Sequence, residues 1–282
     1  MNIIGIIPAR MASTRFPGKP LALINSIPMI GHVYYRSVMC SSLNDIYVAT
    51  CDIEIKEYIE SIGGKVVMTS STHESATSRT SEAMLVIEKS SGTRVDIAVM
   101  IQGDEPMLIP DMIDEAILPI IENPEIVVVN LSIPLKTEEE HRDPNEVKVV
   151  VDMLGFALYF SREPIPSRKI NRDSSYLIDS GLGNNSVIYQ LNRNSPYLFL
   201  KQVCIIPFRR DFLVKFNTLA PSPLEMIESI DMLRVIEHGY KVKMVCKEYQ
   251  SYSVNTPEDL RRVEQLMSDD ALVLSYPIKG KR

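Results

Sequence analysis

Short runs of β-branched residues alternate with amphipathic helical patterns along the first half of the chain, and this alternation narrows the choice of fold more than any other feature. Residues 3–7 (IIGII), 45–50 (DIYVAT), 65–68 (KVVM) and 96–101 (DIAVMI) read as strands, and the first and last are apolar at nearly every position. A strand without polar alternation is buried on both faces, as happens when helices cover both sides of a parallel sheet. The intervening segments supply those helices: 27–40, with Pro28 in its first turn, 53–62, which stops at Gly63-Gly64, 77–88 and 110–122. The expected class is therefore α/β, with βαβ units building a sheet flanked by helices.

Beyond residue 126 the pattern changes. A strand run at 126–135 is followed by two runs, 147–151 and 156–160, that read as an antiparallel pair, so the sheet is expected to be mixed but mostly parallel. Residues 164–195 are rich in Ser, Asn, Arg and Gly and read as a long arm. Regular patterning resumes with a strand at 202–207, a helix at 224–237, a strand at 241–245 and a last helix after Thr256. No linker-like stretch interrupts residues 1–267, which read as one domain, and 268–282 read as a C-terminal extension.

Two strand ends are loaded with chemistry, and in an open α/β sheet ligands bind beyond the carboxyl ends of the strands. The loop PARMASTRFPGKPL after the first strand brings Arg10, Arg15 and Lys19 together with Ser13, Thr14 and Gly18. Cations beside main-chain N–H donors in a turning loop suit a triphosphate. The spacing is neither GxxxxGK[ST] nor GxGxxG, which argues against a P-loop or a dinucleotide fingerprint. The local cluster matters because the net charge is −6, which leaves no basic footprint for nucleic acid. The second loaded end is Gln102-Gly103-Asp104, where a carboxylate at the tip of an apolar strand suits a Mg²⁺ that also holds phosphate oxygens. No apolar stretch approaches the ~18 residues of a membrane span. The scattered cysteines Cys40, Cys51, Cys204 and Cys246 form no CxxC pair and read as core residues of a reducing, cytoplasmic compartment.

Taken together, IPARxxSTRxPGKPL at 7–21, THES at 72–75, IQGDEP at 101–106, NEVKVV at 145–150, ALYFSR at 157–162, PSPLE at 221–225 and VNTPEDLRRV at 254–263 resemble the 3-deoxy-manno-octulosonate (Kdo) cytidylyltransferases over residues 3–267. That resemblance implies a Rossmann-like fold of the nucleotide-diphospho-sugar transferase type and a homodimer. It implies Mg²⁺ dependence and transfer of CMP from CTP to an acidic sugar of lipopolysaccharide biosynthesis, with release of pyrophosphate. It assigns Ala9, Arg10, Ser13, Arg15 and Lys19 to the nucleotide and its triphosphate. Ser75, Thr77 and Arg79 lie along the nucleotide, Gln102 between nucleotide and sugar, and Lys148 and Arg162 by the reactants. Asp104 is a metal ligand, with Asn255 at the position of the second.

Several matched positions depart from the family pattern. Ala76 stands where the nucleotide segment usually has Gly, and Asn255 where the last motif usually has Asp, which predicts a metal held with less charge. On the sugar side Gln202 and Ile206 replace a His and a Tyr, and Asp231-Met232 replaces a Glu-Gln pair. If Gln202 and Ile206 share one face of one strand, the pocket loses donors on one side, which favours an acceptor other than Kdo, such as an amino-substituted Kdo. A weakly active nucleotide-binding relative is the remaining reading, on Asn255 alone. His32, His141 and His238 lack ligand spacing and are expected at the surface or in helix caps, while His73 is expected to order its loop. Thr256-Pro257-Glu258-Asp259 reads as a helix start.

Overall fold

The computed structural model describes residues 1–12, 16–167, 176–179, 188–191 and 199–276. Strand Ile3–Pro8 is buried at every position, as its uninterrupted apolar pattern requires. It lies between Asp45–Thr50 and Ile97–Ile101 and runs parallel to both. Lys65–Met68 extends the sheet in parallel on one side, and Ile205–Arg209 closes the other side antiparallel to Ile97–Ile101. The chain therefore works outward from Ile3–Pro8 in one direction and then returns to its other flank, which makes the carboxyl end of this strand a topological switch point.

Helices Met29–Val38, Ile53–Ser61, Ala76–Ser91 and Pro110–Glu122 alternate with these strands. Ser75 caps Ala76–Ser91 by accepting the Ser78 N–H at 3.1 Å, and Gly92 ends it in the left-handed region. Gly31 is required by packing: a Cβ there would lie 2.1 Å from the Tyr58 hydroxyl of helix Ile53–Ser61.

The described residues form two compact units, each assembled from separated stretches of chain. The first takes in 1–128, 204–218 and 250–282, the second 129–203 and 219–249. The second unit carries its own five-stranded sheet in the order Lys243–Cys246, Val129–Pro134, Leu200–Val203, Lys148–Val151, Ala157–Ser161, with only the first pair parallel. A bridge from Phe156 to Lys243 brings its outermost strands together. Parallel and antiparallel pairing is thus distributed over two sheets. Of the 164–195 arm, the described strands Tyr176–Asp179 and Ile188–Leu191 pair antiparallel, while 168–175, 180–187 and 192–195 lie outside the described residues.

Two expected elements divide. The run at 202–207 is two strands: Leu200–Val203 pairs with Val129–Pro134, while Ile205–Arg209 pairs with Ile97–Ile101. Between them the Cys204 carbonyl accepts the Gln102 N–H at 3.0 Å. The helix expected at 224–237 is Pro223–Glu228 and Asp231–Glu237, separated at Ser229, which has φ 54°. The break is held by Arg162, whose guanidinium donates to the carbonyls of Glu228 at 2.7 Å and Ser229 at 3.4 Å.

His32 and His141 are buried, against expectation, while His238 is exposed. His141 Nε2 meets the Ile165 carbonyl at 3.1 Å, and its ring stands edge-on to Phe199. His32 belongs to a network that seats the C-terminal extension on helix Met29–Val38. Buried Arg36 donates from Nε to the Tyr276 hydroxyl at 2.7 Å and from Nη1 to the Leu108 carbonyl at 3.1 Å, and its Nη2 pairs with Asp270. Since Tyr276 accepts from Arg36, its own O–H donates to His32 Nδ1 at 2.9 Å, and His32 Nε2–H donates to the Ile24 carbonyl at 2.8 Å. Burial raises the Tyr276 phenol to about 12.

Burial also holds the His32 imidazole below its usual 6.5, against the opposing effect of the Ile24 carbonyl. The unfolded chain therefore takes up this proton first, so the stability linked to His32 is complete above about pH 6.5 and is lost as pH falls below it. Urea unfolding should show stability declining from about pH 7 to 5.5, and His32→Gln should flatten that decline. Equal slopes in the two proteins would place the pH dependence elsewhere.

Candidate active site

The loop after the first strand is pinned at both ends. Ala9 N–H donates to the Ala49 carbonyl at 2.9 Å, and Met11 N–H to Asp52 Oδ2 at 2.7 Å. Gly18, at φ 73°, returns its N–H to the Met11 carbonyl at 3.1 Å. This closure requires the left-handed region that glycine adopts without strain. Lys19 follows immediately. Ser13, Thr14 and Arg15 lie outside the described residues.

Lys19 Nζ donates to Asp104 Oδ2 at 2.6 Å and to the Val254 carbonyl at 2.8 Å, and Val254 N–H donates to the Asp104 carbonyl at 2.9 Å. Asp104 reaches this point through Gly103, where a Cβ would stand 3.0 Å from Ile30 Cδ1 and 3.3 Å from the Pro8 carbonyl. The turn therefore lies directly against the end of the first strand. An apolar cluster of Ile24, Met29, Met107, Val254, Val263 and Met267 supports it from within the first unit.

The start of helix Ala76–Ser91 supplies Ser75, Ala76 and Arg79 to a cavity of about 310 Å³ that Ala9, Arg10, Lys19, Gln102 and Asp104 also line. Arg79 is only 3 % exposed, and its Nη1 donates to Thr69 Oγ1 at 2.5 Å. Among the described residues its buried Nη2 has no hydrogen-bond partner. A buried guanidinium N–H left unpaired carries a large desolvation cost. His73 orders the approach to this helix, as expected: its Nε2 meets the Glu82 carboxylate, its Nδ1 meets Ser78 Oγ at 3.1 Å, and its carbonyl accepts from Arg10 at 3.5 Å. Burial alone would raise the Glu82 carboxyl, but the Ser70 N–H and His73 hold it below the usual range.

Thr77 is buried beside Met100 Sδ, 3.9 Å from its Oγ1, and does not line the cavity. Asn255 directly follows Val254. Its N–H donates to Asp259 Oδ2 at 2.9 Å and its Nδ2 to Ser253 Oγ at 3.1 Å, which leaves Oδ1 as the oxygen it can offer. Thr256 and Asp259 form the expected capping box of helix Pro257–Leu266. No group of three or more His, Cys, Asp or Glu side chains suited to a metal occurs among the described residues. Asp104 lines the cavity and Asn255 does not; a carboxylate joined by oxygens of phosphate and water suits a hard cation and does not suit zinc.

The other expected site residues, Ile206 excepted, belong to the second unit. Lys148 is buried, and its ammonium donates to the Asp143 carbonyl at 2.8 Å and to the Arg162 carbonyl. Burial lowers its pKa, opposed by Asp143 and Glu146. Besides its bonds to the helix break, Arg162 donates from Nη1 to the Pro144 carbonyl at 2.9 Å. Its main-chain N–H donates to Glu228 Oε2 at 2.9 Å. Gln202 Nε2 donates to Asn130 Oδ1, and Asn130 Nδ2 donates to the Leu131 and Val203 carbonyls. Asp231 opens its helix, Met232 is a core residue of it, and Ile206 is buried opposite Met100 in the first unit. Gln202 and Ile206 therefore do not share the face of one strand, because the chain changes sheets between them.

Three contributors have no counterpart among the expected residues: Asp52, which holds the loop, the Val254 carbonyl, and Glu228, which anchors Arg162. Asp52 was accessible from the pattern, since it too follows a parallel strand directly. Val254 contributes only main-chain atoms, to which side-chain identity gives no clue.

A family model described as cytidylyltransferase matches residues 4–267. The chain is 40 % identical over 268 residues to the 3-deoxy-manno-octulosonate cytidylyltransferase of Geobacter metallireducens, covering 95 % of this chain and 98 % of that protein. It is 41 % identical over 263 residues to the protein of the same name from Geotalea uraniireducens, covering 93 % and 98 %. Among solved structures, CMP:2-keto-3-deoxy-manno-octonic acid synthetase complexed with CTP superposes with a TM-score of 0.77 at 32 % identity, covering 95 % of this chain and 98 % of that one. The sheet order, the cation loop and the Gln102-Gly103-Asp104 turn thus come with close likeness along nearly the whole length, and the chain belongs to the 3-deoxy-manno-octulosonate cytidylyltransferase family.

Proposed function

We propose that this protein transfers CMP from CTP to a hydroxyl of Kdo and releases pyrophosphate. The observation that carries the reading is the gathering of Arg10, Lys19, Arg79 and Asp104 around one cavity at the switch point of the parallel sheet. The names of the relatives supply the substrates. Arg10 and Lys19, joined by Arg15 and Ser13 of the same loop, offset the charge of the triphosphate and orient it. Ser75 and Arg79 face the nucleotide from the helix start, Ala9 contributes main-chain groups, and Gln102 lies at the boundary with the acceptor. The sugar hydroxyl attacks the α-phosphorus in line. Its oxygen forms the new P–O bond, the bond to the β-phosphate oxygen breaks, and the hydroxyl proton passes to water. Holding reactants in line and stabilising the charge of the departing pyrophosphate account for the catalysis, without a covalent enzyme intermediate. Asp104 and the Asn255 amide oxygen would hold a Mg²⁺, which supplies neutralisation of the phosphate oxygens.

Likeness to the Kdo enzymes over most of the chain favours Kdo itself as the acceptor. The case for an altered acceptor draws on Gln202, Ile206, Asp231 and Met232 together, and the separation of Gln202 and Ile206 onto two sheets weakens it. A homodimer acting in the cytoplasm is the assembly and setting that fit the family. No helix among the described residues is long and apolar enough to cross a membrane. Sedimentation equilibrium tests the dimer directly.

Pyrophosphate release measured with CTP and Kdo should proceed only with both substrates and a divalent cation, and absence of release under these conditions overturns the assignment. UTP should support turnover at least ~10²-fold less well, because a site built to pair the polar edge of cytosine leaves groups unpaired with uracil. Equal rates with the two nucleotides would argue against the cytidylyl reading. Lys19→Ala should retain the fold by circular dichroism and lower kcat by about 10², the usual loss for one electrostatic group. Unchanged kcat would remove this loop from the reaction.

A further inference from the structure

The Asp104 carboxylate, assigned above to the metal, is already engaged by a cation of the protein itself. Lys19 Nζ sits 2.6 Å from Asp104 Oδ2 and is fixed there by the Val254 carbonyl at 2.8 Å. Both side chains are largely withdrawn from water, at 13 % and 21 % exposure, so the pair is only weakly screened. An ammonium and a divalent cation cannot occupy the same carboxylate oxygen, because their mutual repulsion adds to the steric conflict. A metal on Oδ2 must displace Lys19, and one on Oδ1 would bind against the charge of the neighbouring ammonium, so either is favoured once Lys19 finds another anion. The nucleotide-free cavity offers it poor company: Arg10 and Arg79 line the same space, and Glu74 is the one other carboxylate among the lining residues. A triphosphate reverses this balance, since it gives Lys19 phosphate oxygens at the moment Asp104 is vacated.

We propose that Lys19 is a built-in competitor of the divalent cation at Asp104, so that the metal binds firmly only together with the nucleotide. The proposal rests on the reading of Asp104 as the metal's carboxylate. It makes metal and CTP binding reciprocally cooperative, since whatever releases Lys19 for one ligand releases Asp104 for the other. It also separates two consequences of losing Lys19, which pull in opposite directions: the reaction slows, yet the metal binds more tightly.

Mn²⁺ binding, followed by electron paramagnetic resonance of the free ion on the full chain without nucleotide or sugar, tests this. Lys19→Met and Lys19→Gln should each bind Mn²⁺ about tenfold or more tightly than the wild type, within the usual range of coupling between sites. Adding Asp104→Asn should abolish the gain. A distorted site would loosen the ion, so tightening is not the signature of mere structural damage. Affinities equal to wild type in both single variants, or tightening that persists with Asp104→Asn, would overturn the proposal. Since neither CTP nor Kdo is present, the outcome does not depend on whether they prove to be the substrates.

Discussion

Lys19, Asp104 and Val254 come from three distant parts of the chain, and the ammonium of Lys19 is where they meet. Its two hydrogen bonds, with the return bond from Val254 N–H to the Asp104 carbonyl, fix the cation loop, the turn after Ile97–Ile101 and the segment before the last long helix relative to one another. Underneath, Met29, Met107, Val254, Val263 and Met267 pack into one apolar cluster. Close packing of this kind resists small displacements, which keeps the polar groups above it in register. The cavity inherits its shape from this junction, because Arg10, Gln102 and the start of Ala76–Ser91 are each attached to elements that the junction or the sheet holds in place.

The same side-chain chemistry has a different fate in the second unit. Lys148 and Arg162 direct donors at main-chain carbonyls of Asp143, Pro144, Glu228 and of Arg162 itself. Glu228 in turn accepts from Ser161, Tyr159 and the Arg162 N–H, and these bonds outweigh the burial that would raise its carboxyl pKa. Buried and half-buried polar groups that satisfy one another in this way set a unique backbone arrangement. Here that arrangement includes the left-handed Ser229, which interrupts what would otherwise be one helix.

How much of this was legible in the sequence depended on range. Arg10 and Asp104 stood out because each lies two or three residues past a strand whose apolar pattern is unmistakable, and Lys19 because it closes the same loop as Arg10; the strand order then brings them to one crevice. The double-sided burial of Ile3–Pro8 followed from its composition in the same way. Where one pattern served two structures, the reading failed. The apolar run 203–208 continues through Cys204 without a signal, although the hydrogen-bonding partner changes there from Val129–Pro134 to Ile97–Ile101. Helical periodicity likewise continues through Ser229, because the cause of the break lies in Arg162, far away in sequence. His32 looked like a surface residue because its partners, the Ile24 carbonyl and Tyr276, are brought to it only by tertiary folding.

The junction at Lys19 also sets a schedule. Lys19 and the Val254 carbonyl that holds it are 235 positions apart, so at ribosomal speeds of about 5–20 residues per second the partner emerges roughly 12–47 s later. The usual vectorial order, in which early segments of a nascent chain complete their domain first, is closed to this protein. Its first-made strand and cation loop must wait, with one edge of Ile97–Ile101 unpaired, for residues 204–218 and 250–276 to arrive. The chain becomes competent for its nucleotide only after Val254 has been made and has met Lys19.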